Sequence, residues 1–298
     1  MYYPVKLIAA SVLTIILGWS QMVVAEEEII VDVESALEVA LYLKKIGFYD
    51  IDDHPERLQA VPRTRIFRLS GKISDTWREN VPLRKSVFYR LGLSAVLQVN
   101  EQILAQRERL LSLSLDNLSA GNGVWMSEMM VRYGVAKAGD PPTAKRLAEL
   151  LLRVDALPPS LVIVQGAIES AWLQSRFARK GQAIFGQWTT SDSGIKALGS
   201  EVRVAAFENP RQSLIAYMLN LNSHPAYKGL RKARAGMRHN GRPLDGHALA
   251  GHLGKYAETG EEYVKLIRGM IRRDRLTRGD TAKLAHGPHI VFRRVNSK

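Results

Sequence analysis

The chain has 298 residues, of which 46% are hydrophobic and 24% charged. This composition is that of a globular protein, and it excludes both a disordered chain and a polytopic membrane protein. The length permits one large domain or two ordinary ones. The absence of cysteine excludes disulfides, a thiol nucleophile and a cysteine-ligated metal. The net charge of +13 favours an anionic partner, which can be nucleic acid, acidic phospholipid or a carboxylate-bearing polymer.

The first 25 residues have the pattern of an export signal. Lys6 precedes an apolar run from Leu7 to Leu17, and Val23-Val24-Ala25 follows before three glutamates. Cleavage after Ala25 gives a secretory signal, whereas an apolar stretch extended to Ala25 gives an uncleaved anchor. Both alternatives predict a location in the periplasm or cell envelope.

After the first 25 residues, the pattern of apolar residues changes at Arg84 from irregular to helical. Residues 29–83 mix short apolar runs with prolines and predict irregular structure with a few short helices. From Arg84 to Leu110, apolar residues recur at helical spacing and predict a long amphipathic helix. A second helix is predicted at Trp125 to Tyr133. Asp140-Pro141 is typical of a helix start, and the apolar face of that third helix extends to Val154.

The central segment predicts another helix followed by a small β element. Ser160 is a candidate cap for a helix from Leu161 to about Phe177. Residues 181–208 lose the helical period, and Glu201 to Ala205 predicts a strand in a small β-lobe. Helical patterns resume at Gln212 to Leu221 and at Glu261 to Ile271. The predicted fold class is mainly α (α+β), with helices in the N-terminal region as well.

Glu169 is the candidate for acid chemistry. Gln165 and Glu169 lie four residues apart, on one face of a predicted helix that is otherwise apolar or small. Burial disfavours the charged form and raises the pKa of a carboxyl group, so that it can donate a proton near neutral pH, as a glycosidase requires. The alternative is that Glu169 faces solvent or pairs with Arg176.

The segments Ser160 to Ala178 and Ala183 to Trp188 resemble glucosaminidase family 73 of the glycoside hydrolases. The resemblance implies that Glu169 is the catalytic acid and that the Phe185-Gly186 segment lines the substrate cleft, with Gln165 as a further substrate-binding candidate. Trp172 and Phe185 either offer aromatic faces to sugar rings or pack in the core. Lys255-Tyr256-Ala257 with Tyr263 resembles the tyrosine motif of that family, which implies that Tyr256 is catalytic and lies beside the cleaved bond. The motif's usual aspartate is replaced by Thr259.

The family resemblance covers roughly residues 80–275. It implies a lysozyme-like helical glucosaminidase domain at 140–275, preceded by an N-terminal helical region at 26–139 and followed by a basic C-terminal tail at 276–298. It also implies the reaction, which is cleavage of the β-1,4 bond between N-acetylglucosamine and N-acetylmuramic acid in peptidoglycan glycan strands. A lytic transglycosylase and a non-catalytic wall-binding protein are the alternatives.

A second carboxylate normally complements the acid. Glu201 is the preferred candidate because it precedes an alternating run, and Asp192 and Glu208 are the alternatives. Without a second carboxylate, the acetamido group of the substrate can serve, with Tyr256 placed to help.

The remaining candidates concern binding. Gln187 and Trp188 follow the Phe-Gly segment and are candidates for contact with sugar rings. The histidines at 224, 239, 247 and 252 lack a metal-ligand spacing, so we expect neither metal nor cofactor. Nucleic acid is not expected as a partner, because the basic C-terminal segment has few aromatics and no nucleic-acid motif is present. An anionic membrane surface remains a possible partner of the basic residues.

Overall fold

The computed structural model describes residues 27–66, 80–197, 202–256 and 259–294. The fold is mainly α with a small β part, which confirms the predicted class. The α-helices are α1 (Ala36–Lys45), α2 (Val81–Ser112), α3 (Ala120–Arg132), α4 (Ala144–Arg153), α5 (Pro159–Ser170), α6 (Arg176–Gly181), α7 (Pro210–Ser223), α8 (Lys228–His239), α9 (Gly246–Leu249) and α10 (Glu261–Arg273). Short 3-10 helices span Pro55–Ala60, Pro225–Tyr227, Ala250–His252 and Leu276–Thr281.

In the described part of the chain, six strands form two small sheets. They are β1 (Glu28–Val33), β2 (Thr64–Ile66), β3 (Trp188–Thr189), β4 (Ile195–Lys196), β5 (Arg203–Val204) and β6 (His289–Arg294). The first sheet has the order β1-β6-β2 with parallel pairing, and the second has the antiparallel order β3-β5-β4. The second sheet is the predicted β-lobe.

The segment predicted as a basic tail is part of the folded structure from residue 276 to residue 294, where the described residues end. Residues 276–281 form a 3-10 helix, and β6 is the central strand of the first sheet. Ile290, Val291 and Phe292 are buried, and the ring of Phe292 meets that of Tyr42 edge-on at 5.7 Å. Because four of its first five residues are buried, this strand lacks the apolar–polar alternation by which a half-exposed strand is recognised.

Helix α5 lies at the centre of the molecule. Residues 159–167 are all buried, and the helix packs against α2, α9, α10 and the 3-10 helix at 276–281. Such a continuous apolar sequence forms a stable helix only where protein surrounds it on every side. These four elements therefore surround the helix that carries Glu169.

The chain that leads into α5 is fixed by polar side chains from two other helices. Asn100 of α2 both accepts from the amide of Leu157 at 2.9 Å and donates to its carbonyl at 2.7 Å. Arg234 of α8 is fully buried and donates to the carbonyl oxygens of Asp155 and Ala156 at 3.0 Å. These bonds satisfy the buried carbonyls of the linker and fix the position at which α5 begins.

The start of α5 differs from the prediction. Pro158, not Ser160, occupies the cap position, and it offers no side-chain oxygen to the first amides. The carboxylate of Asp280 takes that role, because it accepts from the amide and the hydroxyl of Ser160 at 2.8 Å each. The same carboxylate accepts from the amide of Gly246 at the start of α9 at 2.9 Å. One partly buried acidic side chain thus accepts hydrogen bonds from the first turns of two helices.

Helix α5 also ends earlier than predicted. Ala171, Trp172 and Leu173 have φ values of 50°, 51° and 67°, which lie in the left-handed region. The hydroxyl of Ser170 supports this turn by donating to the carbonyl of Gly166 at 2.6 Å and accepting from the amide of Leu173 at 2.9 Å. The turn stops the helix one residue after Glu169, so this glutamate lies at an open end and not in mid-helix.

Among the described residues, no helix is long and apolar enough to cross a membrane. The predicted signal or anchor at 1–25 lies outside the described residues.

Candidate active site

Glu169 lies in the last turn of α5, where the side chain is partly exposed although most of its surroundings are protein. Burial raises the pKa of this carboxyl group to about 7, and a hydrogen bond from Tyr263 offsets part of the rise. A buried carboxyl group takes up a proton because the surroundings solvate the charged form poorly. Near neutral pH, Glu169 is therefore divided between the acid and the carboxylate.

Tyr263 of α10 is the direct partner of Glu169. Its hydroxyl donates to Oε1 of Glu169 at 2.9 Å and accepts from Nε2 of Gln165 at 3.2 Å. Oε1 of Gln165 in turn accepts from the hydroxyl of Tyr217 on α7. One face of α5 and two other helices are thus connected by hydrogen bonds that lead to the carboxyl group.

Aromatic rings pack around this hydrogen-bonded chain. Tyr256 stacks on Tyr263 with ring centroids 5.3 Å apart, and Phe185 stacks on Tyr217 at 3.8 Å. Burial raises the pKa of Tyr217, Tyr256 and Tyr263 well above the ordinary tyrosine value, and the charge of Glu169 adds to the rise in each. All three hydroxyls therefore carry their proton at any pH at which the protein functions.

The structure brings several of the predicted site residues together, but they are buried behind Glu169 and contact other protein side chains. Gln165 is fully buried between two tyrosines, and Phe185 is 2% exposed, so both contact protein where contact with substrate had been expected. Gly166 permits the approach of Phe185, since a Cβ at this glycine would lie 3.3 Å from the ring. Tyr256 is also fully buried, and its hydroxyl has no partner among the described residues.

Trp172 lies in the left-handed turn after Glu169 and is partly buried. The guanidinium of Arg84 and the ammonium of Lys85 lie 5.9 and 5.7 Å from the centre of its ring. Cations near an aromatic face are attracted by its electron density. Trp172 is thereby held against the start of α2.

The β-lobe holds the other predicted binding residues. Gln187 is 6% exposed, and its side-chain oxygen has no partner among the described residues. Trp188 is partly exposed at the start of β3, opposite Val204 of β5. This position leaves one aromatic side chain of the lobe in contact with solvent.

Among the residues that the structure describes, none is assigned as a second carboxylate of the site. The preferred candidate, Glu201, lies outside the described residues. Asp192 is fully exposed beside Arg203, and Glu208 is exposed and accepts from Gln212. Among the described residues, no acidic side chain hydrogen-bonds to Glu169 or shifts its pKa, and no group of three or more histidine, aspartate and glutamate side chains is placed to hold a metal ion.

Tyr217 is the site residue that the sequence analysis missed. It lies on the buried face of α7 together with Leu214, Met218 and Leu221, where an aromatic residue indicates only core packing. The signal that distinguishes it is chemical, because a buried tyrosine hydroxyl needs a hydrogen-bond partner. That need cannot be assigned to Gln165 before the two helices are placed.

Comparisons with known proteins identify the family to which the chain belongs. Residues 145–276 match the glucosaminidase family, described as mannosyl-glycoprotein endo-beta-N-acetylglucosaminidase. Over 189 residues the chain is 31% identical to protein bax of Escherichia coli (strain K12). The matched region covers 63% of this chain and 68% of that protein. No solved structure matches the chain. The chain therefore belongs to the bacterial bax family and carries a glucosaminidase domain.

Proposed function

We propose that this protein is a peptidoglycan hydrolase that cleaves the β-1,4 bond between N-acetylglucosamine and N-acetylmuramic acid, with Glu169 as general acid. The glucosaminidase domain supports a glycosidase with a glycan substrate. The observation that supports the role of Glu169 as general acid is its environment. The side chain is partly exposed at a helix end, and its carboxyl group has a pKa of about 7. A general acid with a pKa near the working pH combines a large protonated fraction with a strong tendency to donate.

In the proposed reaction, Glu169 donates its proton to the glycosidic oxygen as the bond from that oxygen to the sugar's anomeric carbon breaks. The acetamido oxygen of the same sugar attacks that carbon and forms a cyclic intermediate. Water then opens this ring, and the Glu169 carboxylate takes the proton from the water. No second carboxylate is required, which fits the absence of an acidic partner for Glu169 among the described residues. Tyr256 acts indirectly, because its buried ring stacks on Tyr263, the hydrogen-bond partner of Glu169.

The proposed setting is the bacterial cell envelope. The export pattern in residues 1–25 supports this location, and the net charge of +13 favours an acidic wall polymer.

A lytic transglycosylase is the second candidate, since such an enzyme also works with a single acid. The observation that favours it is the same lack of a second carboxylate among the described residues. In that reaction the muramic acid hydroxyl replaces water, and the product carries an anhydro sugar.

The deciding experiment is digestion of purified peptidoglycan by the chain without residues 1–25, followed by borohydride reduction and mass spectrometry of the new ends. Reduced glucosamine ends support the proposal, whereas anhydromuramic or reduced muramic ends assign the enzyme to the transglycosylase or muramidase class. We expect Glu169→Gln to lower the rate by about 10³-fold. If folded wild-type protein releases no ends, a binding role replaces the catalytic one.

A further inference from the structure

The hydrogen bonds that lead to Glu169 have a fixed direction. Tyr217 is neutral and fully buried, and the bond to Oε1 of Gln165 is the hydrogen bond found for its hydroxyl among the described residues. Because this hydroxyl donates, the oxygen of the Gln165 amide must face α7. The amide nitrogen then faces Tyr263 and donates to its hydroxyl oxygen at 3.2 Å. The single proton of Tyr263 is left to point at Glu169.

The reversed arrangement is costly at two positions. If the Gln165 amide were turned over, its nitrogen would face Tyr217 and the proton of Tyr217 would have no acceptor. Its oxygen would compete with Glu169 for the proton of Tyr263. Leaving a buried donor unpaired costs about 1–3 kcal/mol. The network therefore selects one arrangement over the other.

We propose that Tyr217 and Gln165 are positioning residues that direct the Tyr263 proton to Oε1 of Glu169 and so leave Oε2 to carry the catalytic proton. This inference rests on the proposed function for its catalytic meaning. A carboxylic acid has one proton, and an oxygen that already accepts from Tyr263 is the poorer position for it. The hydrogen-bonded relay of Tyr217, Gln165 and Tyr263 thus determines which of the two Glu169 oxygens can donate a proton to substrate.

The surrounding residues hold the first member of this relay in place. Phe185 stacks on Tyr217 with an interplanar angle of 9°, and Gly166 leaves space for Phe185 on the surface of α5. The glycine lies between Gln165 and Glu169 in the sequence, and this short segment of α5 therefore provides the amide, the acid and the space for the ring that supports Tyr217.

The relay is tested by measuring the pKa of Glu169 directly, in the full chain labelled with ¹³C at the glutamate carboxyl carbon. The signal of Glu169 is the one lost in Glu169→Gln. Tyr217→Phe lets the Gln165 amide turn over, so its oxygen competes with Glu169 for the Tyr263 proton and the carboxylate loses part of its hydrogen bond. We expect the pKa of Glu169 to rise by about one pH unit in this variant. Gln165→Leu removes the competing oxygen, so the double variant should lose the shift that Tyr217→Phe shows alone.

The matched control is Tyr133→Phe, which removes a buried hydroxyl that bonds to Gln106 at 3.3 Å, outside this network. It should leave the pKa of Glu169 unchanged. An unchanged pKa in folded Tyr217→Phe, or an equal rise in the folded double variant, would overturn the relay. The titration needs no substrate, so it tests the relay independently of the proposed reaction. If the wild type is inactive but the expected pKa shifts are found, the proposed reaction is contradicted and the relay is still supported.

Discussion

Glu169 is held in surroundings that favour its protonated form, and this has a direct consequence for activity. In the proposed reaction Glu169 must carry its proton to cleave the bond, and burial raises the pKa of its carboxyl group to about 7. We expect kcat/KM to fall about tenfold per pH unit as the pH rises above that value. The measurement is the initial rate on solubilised glycan strands between pH 5 and 9. A rate that stays constant to pH 9 would exclude Glu169 as the acid.

The same residue should make the protein less stable at high pH. The pKa of Glu169 in the folded chain lies above the ordinary value of 4.5, so the folded state binds more protons between these two values. Stability is therefore lost as the pH rises through this window, by linkage. We expect Glu169→Gln to raise the free energy of unfolding at pH 8 by about 1–2 kcal/mol.

Urea unfolding at pH 4 and pH 8 checks this expectation. At pH 4 the wild type and Glu169→Gln should be nearly equal, because Glu169 is protonated in both the folded and unfolded states. The matched control is Glu108→Gln on the exposed face of α2, which should change stability by less than about 0.5 kcal/mol at either pH. Equal stabilities of wild type and Glu169→Gln at pH 8 would show that burial does not raise the pKa of Glu169 in the folded state.

Turning to elements, helix α5 depends on a cap that is distant in sequence. Asp280 accepts three hydrogen bonds, two from Ser160 and one from Gly246. Asp280→Ala leaves these donors without an acceptor and should lower the free energy of unfolding by about 3 kcal/mol. Chemical unfolding measures the loss. Asp192→Ala in the exposed part of the β-lobe is the comparison, and we expect a change below about 1 kcal/mol. Similar losses in the two variants would show that the cap contributes little.

The elements also show what a sequence pattern can establish. Helices α2, α3, α7 and α10 lie on the predicted stretches, because their apolar residues recur with the helical period and depend only on neighbours in the chain. The cap at Ser160 was wrongly assigned, since its partner Asp280 lies 120 residues away. Likewise, the resemblance identified Gln165 and Glu169 as site residues, whereas their connection through Tyr217 and Tyr263 depends on how three helices pack.

For the molecule as a whole, β6 joins the two ends of the described chain. Glu28 pairs with His289 in β1 and β6, and Thr64 of β2 pairs with Ile290. Deletion of residues 287–298 removes the buried Ile290, Val291 and Phe292. Each such loss costs about 2–5 kcal/mol, against a total stability of about 5–15 kcal/mol. We expect the truncated chain to lose its cooperative unfolding transition.

Circular dichroism during thermal unfolding tests this expectation against a charge variant. Arg293→Gln removes only an exposed ion pair with Asp32 and should change stability by less than about 1 kcal/mol. A truncated chain that unfolds cooperatively at the wild-type temperature would restore the view of this segment as a tail. It would then be reasonable to assign the segment to wall binding alone.

The position of β6 also sets the order in which the protein can be completed. A ribosome makes β1 early and β6 after every other described element, yet β6 lies between β1 and β2. The two outer strands must wait through the synthesis of more than two hundred residues before their common partner exists. At the usual rate of about 5–20 residues per second, this wait lasts at least about ten seconds. During that time β1 and β2 have no common partner, so the first sheet cannot form.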